Sequence, residues 1–220
     1  MQKGWQQIHL DHTGRPWIAL TARDTGILVR AVTEDDLDFS HSLRLSFSMA
    51  SSLLDLLLTQ ETRTATQDRE ALASCARTAV SGENISFECT VWRRIGNSLR
   101  VLSCGTISVL QVGGIGITEI IRPHSAYHEG RDKGIELNEN TRFFSTQQLG
   151  KHSRGDMIRV TELDMSLANS LLFLVDPRLA QLLVSSRLQT EDITSFIDSW
   201  QPKVGRAERT YILLNFNTRV

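Results

Sequence analysis

Residues 85–104 read ISFECTVWRRIGNSLRVLSC, two alternating segments set around Gly96-Asn97. A period of two puts Phe87, Cys89 and Val91 on one face of an extended strand. A Gly-Asn pair between alternating segments is a tight hairpin signal, so SLRVLSC returns beside the strand it left. The pattern then recurs: ISVLQV, Gly113-Gly114 and IGITEII make the next hairpin. Strands joined by such short turns can pair only antiparallel. That excludes a doubly wound fold, in which a helix separates each strand from the next. The reading places 86–94, 98–104 and 107–112 as adjacent antiparallel strands.

The flanks add helices in pairs. Short strands are predicted at 5–10, 17–21 and 27–32, separated by the turns DHTGRP and ARDTG. After the acidic segment TEDDLDFSHS, an amphipathic helix over 43–59 sets Leu45, Met49, Leu53 and Leu56 near one face. A second helix over 67–79 has Leu72, Cys75, Ala76 and Ala79 on its apolar face and Thr66 as N-cap. Residues 124–150 read as a polar loop. Strands follow at 157–163 and 171–175, then a helix opening at Pro177. A further helix is capped by Thr190 and carries Ile193, Phe196, Ile197 and Trp200 on one side; RTYILLNF is the last strand. The class is α+β: two antiparallel sheets face to face, each covered outside by a helix pair. With four prolines and no linker-like run, residues 1–220 read as one domain.

Composition narrows the function. The 24 basic and 25 acidic residues leave a net charge of −1, which argues against a nucleic-acid surface or an anionic membrane surface. Arg93-Arg94 and Arg206/Arg209 read as solvated strand edges. The longest apolar run, LLFLV, is strand-sized, and no signal peptide is recognisable at MQKGWQQIHLDHTG. Cys75, Cys89 and Cys104 have no metal-like spacing and read as small buried hydrophobes of a reduced, cytoplasmic protein. His9/His12 and His124/His128 have spacings a metal could use, but no partner cysteines or carboxylate pattern, so structural or solvated roles are favoured.

Several segments, in order, resemble the metal-dependent type 2C serine/threonine protein phosphatases. SFECTVWRRIGNSLRVLSCGTISVLQVGG is similar to a family stretch containing G-N-x-L-x-V-A-x-V-G-D-S-R, with Gly96, Asn97, Leu99, Val101 and Gly105 matching. Thr106 stands where that pattern has Asp, and Ile107 where it has Ser. IIRPHS resembles the family's L-T-x-D-H-S, FFSTQQLG its I-T-R-A-L-G, and SLLFLVDPRLAQLL its L-L-L-x-S-D-G-L-x-x-x-L. MASSLLDLLL resembles its A-S-x-x-A helix, and AERTYILLNF its closing D-D-x-T-x-I-V-V. The resemblance implies a four-layer αββα sandwich and a site where two Mg²⁺ or Mn²⁺ ions, held by carboxylates, activate water against a phosphoryl group.

That site is eroded in this sequence. Asp11, Glu34 and Asp176 fall at metal-ligating positions and are vestigial metal candidates. Asp11 reads equally well as a turn residue, and Asp176 as the cap of the helix at Pro177. Glu34 replaces an Asp, with Asp35 in place of the following Gly. Pro177 replaces a Gly, Leu10 an acid, and Ala207 the closing acid, with Glu208 beside it on the opposite strand face. Gln6 stands where the family has a phosphate-binding Arg, whose bidentate charged contact Gln cannot make. No catalytic residue is assigned. The resemblance therefore implies a catalytically inactive, protein-binding or regulatory module with no resident cofactor beyond weak Mg²⁺ or Mn²⁺. Its expected partner is a protein, such as a phosphoprotein or a kinase, not nucleic acid or membrane. The alternative is a weak Mn²⁺/Mg²⁺-dependent protein phosphatase.

Overall fold

The structure is a computed structural model that describes residues 5–10, 16–33, 38–59, 63–80, 84–113, 116–164, 170–174, 177–186, 192–193, 195–196 and 211–215. In chain order the elements are β1 (Trp5–Leu10), β2 (Pro16–Ala22), β3 (Thr25–Thr33), α1 (Phe39–Thr59), α2 (Ala65–Ala79), β4 (Ile85–Ile95) and β5 (Ser98–Cys104). There follow β6 (Ser108–Gly113), β7 (Gly116–Ile121), α3 (Ala126–Asp132), β8 (Arg159–Asp164), β9 (Ser170–Leu174), α4 (Pro177–Ser185) and β10 (Tyr211–Asn215). The strands form a six-stranded sheet, β1-β2-β3-β4-β5-β8, and a four-stranded sheet, β10-β9-β6-β7. Every pairing between them is antiparallel.

The hairpin at Gly96-Asn97 forms as the sequence predicts, with Gly96 at φ +60°. The next strand departs from expectation. β6 does not lie beside β5; β8 takes that place, and β6 sits between β9 and β7 in the second sheet. The chain changes sheets at Gly105, whose φ of +113° is open to glycine and strained for a side chain. Alternation names the strands but not their neighbours, because a short connection can close a hairpin or cross between layers.

Alternation divides the first sheet into two faces. Ile18, Ile27, Val29, Phe87, Cys89 and Leu102 point towards α1 and α2, where Met49, Leu53, Leu57, Leu72 and Ala76 close a continuous apolar layer. Met49, Leu53 and Phe87 have no exposed area, and each such side chain is worth about 2–3 kcal/mol against leaving it in water. The opposite face carries Trp17, Ala19, Leu28, Trp92, Leu99 and Val101 against Val109 and Ile121 of the second sheet and Ile107 just before β6. Leu110 and Val112 turn to the far side and meet Leu179, Ala180 and Leu183 of α4. Ile193 and Phe196, from the segment predicted as a further helix, pack into that cluster. The layers are those of an αββα sandwich.

Local chemistry departs from the sequence reading at three places. Helix α2 begins two residues early because Thr64, not Thr66, is its N-cap: Gln67 N–H donates to Thr64 Oγ1 (3.2 Å), and Thr64 N–H donates to Gln67 Oε1 (2.8 Å). The segment read as a polar loop contains α3, capped by Ser125, and a 3₁₀ turn at Glu139–Phe143. Arg93 is not a solvated edge residue. It is buried and approaches Asp68 of α2 at 3.5 Å, where Arg63 and Arg100 also converge at 3.0 and 2.6 Å. Asp68 is 1 % exposed, so these guanidinium groups replace its lost water.

Candidate functional site

The strand ends define where a site of this fold would lie. Leu10 of β1 pairs with Pro16, Thr33 of β3 with Ile85, and Cys104 of β5 with Cys89. In the second sheet, Leu174 of β9 pairs with both Ser108 and Tyr211. The strands leading to residues 11, 34 and 176 therefore finish at the end of the sandwich that carries the 104–107 turn. Asp11, Glu34 and Asp176 themselves lie outside the described residues, as do Ala207 and Glu208.

The turn is built on a buried carboxylate. Glu88 sits in β4 between Phe87 and Cys89, and alternation sends its side chain to the inter-sheet face, where it is 1 % exposed. Its Oε2 accepts from Thr106 N–H (3.1 Å) and from Thr106 Oγ1–H (2.6 Å). Arg30, its register partner across β3, donates to the same oxygen at 3.1 Å and stacks over the Trp17 ring at 4.8 Å. A Cβ on Gly105 would come within 2.6 Å of the Glu88 side chain, a second reason for glycine there.

His124 closes the other side of the turn. Gly105 N–H donates to His124 Nδ1 (3.3 Å), and His124 N–H donates to Gly105 O (2.8 Å). An accepting Nδ1 places the ring proton on Nε2. Burial pushes the His124 pKa down to about 4, with help from the Arg159 charge, so the ring is neutral near pH 7. Thr90 and Ser103 share a hydrogen bond of 2.9 Å behind Glu88. Cys104 ends β5 here, and burial, then the Glu88 charge, pushes its thiol up to about 12. Cys89 is raised by burial, by Cys104 and by Glu88. Neither thiol supplies a thiolate nucleophile near neutral pH.

Among the described residues the Glu88 carboxylate faces the Arg30 guanidinium, and its Oε2 is shared among three donors. A divalent cation would need that oxygen and several more. Among the described residues no three His, Cys, Asp or Glu side chains are grouped to hold a metal ion. Sequence reading located this turn and marked Thr106 in it but did not single out Glu88, Arg30 or Trp17. The available signal was a charged residue at an inward position of ISFECTVW.

No family model matches the chain, and no curated protein matches it either. Solved structures do, and they share one fold, that of the PPM serine/threonine phosphatases. The serine/threonine phosphatase PstP/Ppp of Mycobacterium tuberculosis is 12% identical, with a TM-score of 0.67 over 96% of both chains. The serine/threonine phosphatase Stp1 of Staphylococcus aureus is 12% identical, with a TM-score of 0.64 over 96% of this chain and 88% of its own. The PstP catalytic domain with two manganese ions is 12% identical, with a TM-score of 0.65 over 96% of this chain and 95% of its own. At this identity the likeness is one of fold.

Proposed function

We propose that this chain is a catalytically inactive phosphatase-fold domain acting as a protein-binding or regulatory module. The observation that carries the reading is the 104–107 turn, where Thr106 replaces the family's acid and the nearby carboxylate, Glu88, is committed to Thr106 and Arg30. A buried pair of this kind stabilises the sheet crossing and is expensive to redirect towards an ion. Gln6 and Ala207 remove the phosphate arginine and the closing acid on the same reading. These losses fall on the substrate side and the metal side alike. Metal-dependent phosphatases need the ions to form hydroxide and to neutralise the phosphoryl charge, so a single compensating carboxylate does not restore turnover.

Asp11, Glu34 and Asp176 are proposed as remnants of the metal site, able at most to hold one Mg²⁺ or Mn²⁺ weakly. A manganese-bound structure of the same fold supports the idea of an ion without supplying its ligands here. The partner is proposed to be a phosphoprotein or a kinase. One domain over residues 1–220 is supported by matches that span nearly all of both chains. A reducing, cytoplasmic setting is supported by three cysteines that form no disulfide. Among the described residues no helix is long and apolar enough to cross a membrane.

The test is turnover of phosphoserine and phosphothreonine peptides in millimolar Mn²⁺, with calorimetric Mn²⁺ titration of the same sample. No turnover with weak or absent Mn²⁺ binding supports the reading. Robust hydrolysis that Asp176→Ala abolishes replaces it with the metal-dependent phosphatase.

A further inference from the structure

Arg142 is the least expected side chain in the molecule. It belongs to the 3₁₀ turn Glu139–Phe143 and is only 2 % exposed. Its Nε and Nη2 are buried without a hydrogen-bond acceptor. The nearest carboxylate, Glu139 Oε1, is 3.6 Å from Nη2, beyond hydrogen-bond reach, and is itself 69% exposed. The guanidinium stacks over the Tyr127 ring at 3.7 Å, which orients it but accepts no N–H. A guanidinium stays charged at any physiological pH. Burying one with its donors unmet costs several kcal/mol unless something supplies the acceptors.

The cavity beside it supplies the context. A space of about 210 Å³ is lined by Arg142, Arg122, Arg131, His128 and Glu119 on one side and by α4 on the other, where Gln181 and Ser185 add polar groups. One water occupies roughly 30 Å³ of liquid, so there is room for more than a single solvent molecule. Among the lining residues three guanidinium groups stand with one carboxylate, Glu119; Asp132 and Glu139 approach Arg122 and Arg142 from outside the lining, at 3.0 and 3.6 Å. Arg122 is engaged at the rim, at 3.0 Å from Asp132 and 3.7 Å from Glu119. His128 holds Ser125 Oγ at 2.7 Å through Nδ1, and burial together with the Arg142 and Arg122 charges depresses its pKa to about 4. The ring is thus neutral near pH 7, and the positive potential comes from the arginines.

We propose that this cavity, between α3, the 139–143 turn, β7 and α4, binds a phosphate-class oxyanion, with Arg142 as its central donor. Forked guanidinium groups match tetrahedral oxyanions, and the buried Nε and Nη2 of Arg142 are two donors that such an anion would satisfy. The residues used are none of those in the 104–107 turn and none of the metal candidates, so the inference holds whether or not the domain is inactive. The oxyanion is either free phosphate or the phosphoryl group of a phosphoserine or phosphothreonine side chain.

The experiment is calorimetric titration of the full chain, without metal, with orthophosphate, a phosphoserine peptide and the unphosphorylated peptide. Orthophosphate binds, and the unphosphorylated peptide does not. If the phosphopeptide binds at least as tightly as orthophosphate, the source is a phosphorylated side chain; if orthophosphate alone binds, the source is the free ion. Arg142→Gln lowers affinity at least tenfold, with the fold checked by circular dichroism. Because Arg142 is buried, Arg131→Gln is the second variant: Arg131 is exposed, and its loss lowers affinity several-fold in a folded protein. Arg154→Gln, an exposed arginine outside the cavity, leaves binding unchanged. No orthophosphate binding at millimolar concentration, or equal binding by the wild type and Arg131→Gln, overturns the proposal.

Discussion

The two faces of the six-stranded sheet are built from the same strands and held by different physics. The face under α1 and α2 is almost wholly apolar in its middle, with Met49, Leu53, Phe87 and Val29 interlocked and the Asp68–arginine cluster kept to one margin. The face towards the second sheet is apolar around Trp92, Leu99 and Val101 but polar at the strand ends, where Glu88, Thr106, Thr90 and Ser103 are buried beside the partly exposed Arg30. Apolar layers tolerate graded loss, because each methylene contributes separately and the surroundings relax. A buried polar group fails abruptly, since removing one partner leaves the other desolvated and unpaired. The polar end is also the end where the strands leading to residues 11, 34 and 176 finish. The fold thus concentrates its most sensitive interactions at one end of the sandwich, where they join protein to protein.

The sharpest way to break this contrast is Glu88→Ala. It strands Arg30 and both Thr106 donors, and a loss of about 3–5 kcal/mol is expected in urea unfolding. A loss below about 1 kcal/mol would mean that water already shields the pair. On the other face, Leu53→Ala is expected to cost about 3 kcal/mol through lost transfer energy and a partly collapsed cavity. That cost should be the same at neutral and mildly acid pH.

Mild acid distinguishes the faces more finely. The folded-state pKa of His124 is depressed to about 4, so between about pH 6.5 and 4 the unfolded chain binds a proton that the folded ring refuses. Stability is full above about pH 6.5 and falls as pH drops through that window, by about 1 kcal/mol at about pH 5.5 from this residue. His128 is shifted the same way. Denaturation curves at neutral and mildly acid pH, repeated on His124→Gln, check it: the variant should lose the His124 share of the slope. An unchanged slope would place that histidine in contact with water.

The smallest effect sharpens the comparison most. Replacing both charges, Arg30→Met with Glu88→Gln, keeps an acceptor for Thr106 and removes the ion pair. Stability is expected to stay within about 1 kcal/mol of wild type or to rise, as for other buried pairs exchanged for neutral groups. A loss near that of Glu88→Ala would show that the charges themselves, not the hydrogen bonds, hold the crossing.

Much of the fold was legible in the residues. Period-two alternation and Gly96-Asn97 specified the β4–β5 hairpin to within a residue, because side-chain direction in a strand follows from backbone geometry alone. Helical spacing identified α1 and α2 with their buried faces, and Pro177 marked the start of α4. At the candidate site the sequence supplied residue chemistry only: Thr106, Gln6 and Ala207 stand where the resembling pattern has charged side chains.

The tertiary structure decided which surfaces meet. Nothing in the sequence around Gly105 says whether β6 returns beside β5 or crosses to the other sheet, because that depends on which faces remain unburied once β8 has taken the β5 edge. Nothing in the local pattern sets Glu88, Asp68 and Arg142 apart from other charged residues, since pattern registers a charge but not its partner. Arg30 lies 58 residues from Glu88, and Arg100 lies 32 from Asp68. Packing two sheets and their helices brings those pairs within 3.1 and 2.6 Å and removes the water. Burial and partnership are properties of the assembled layers, whereas period and residue chemistry belong to the chain itself.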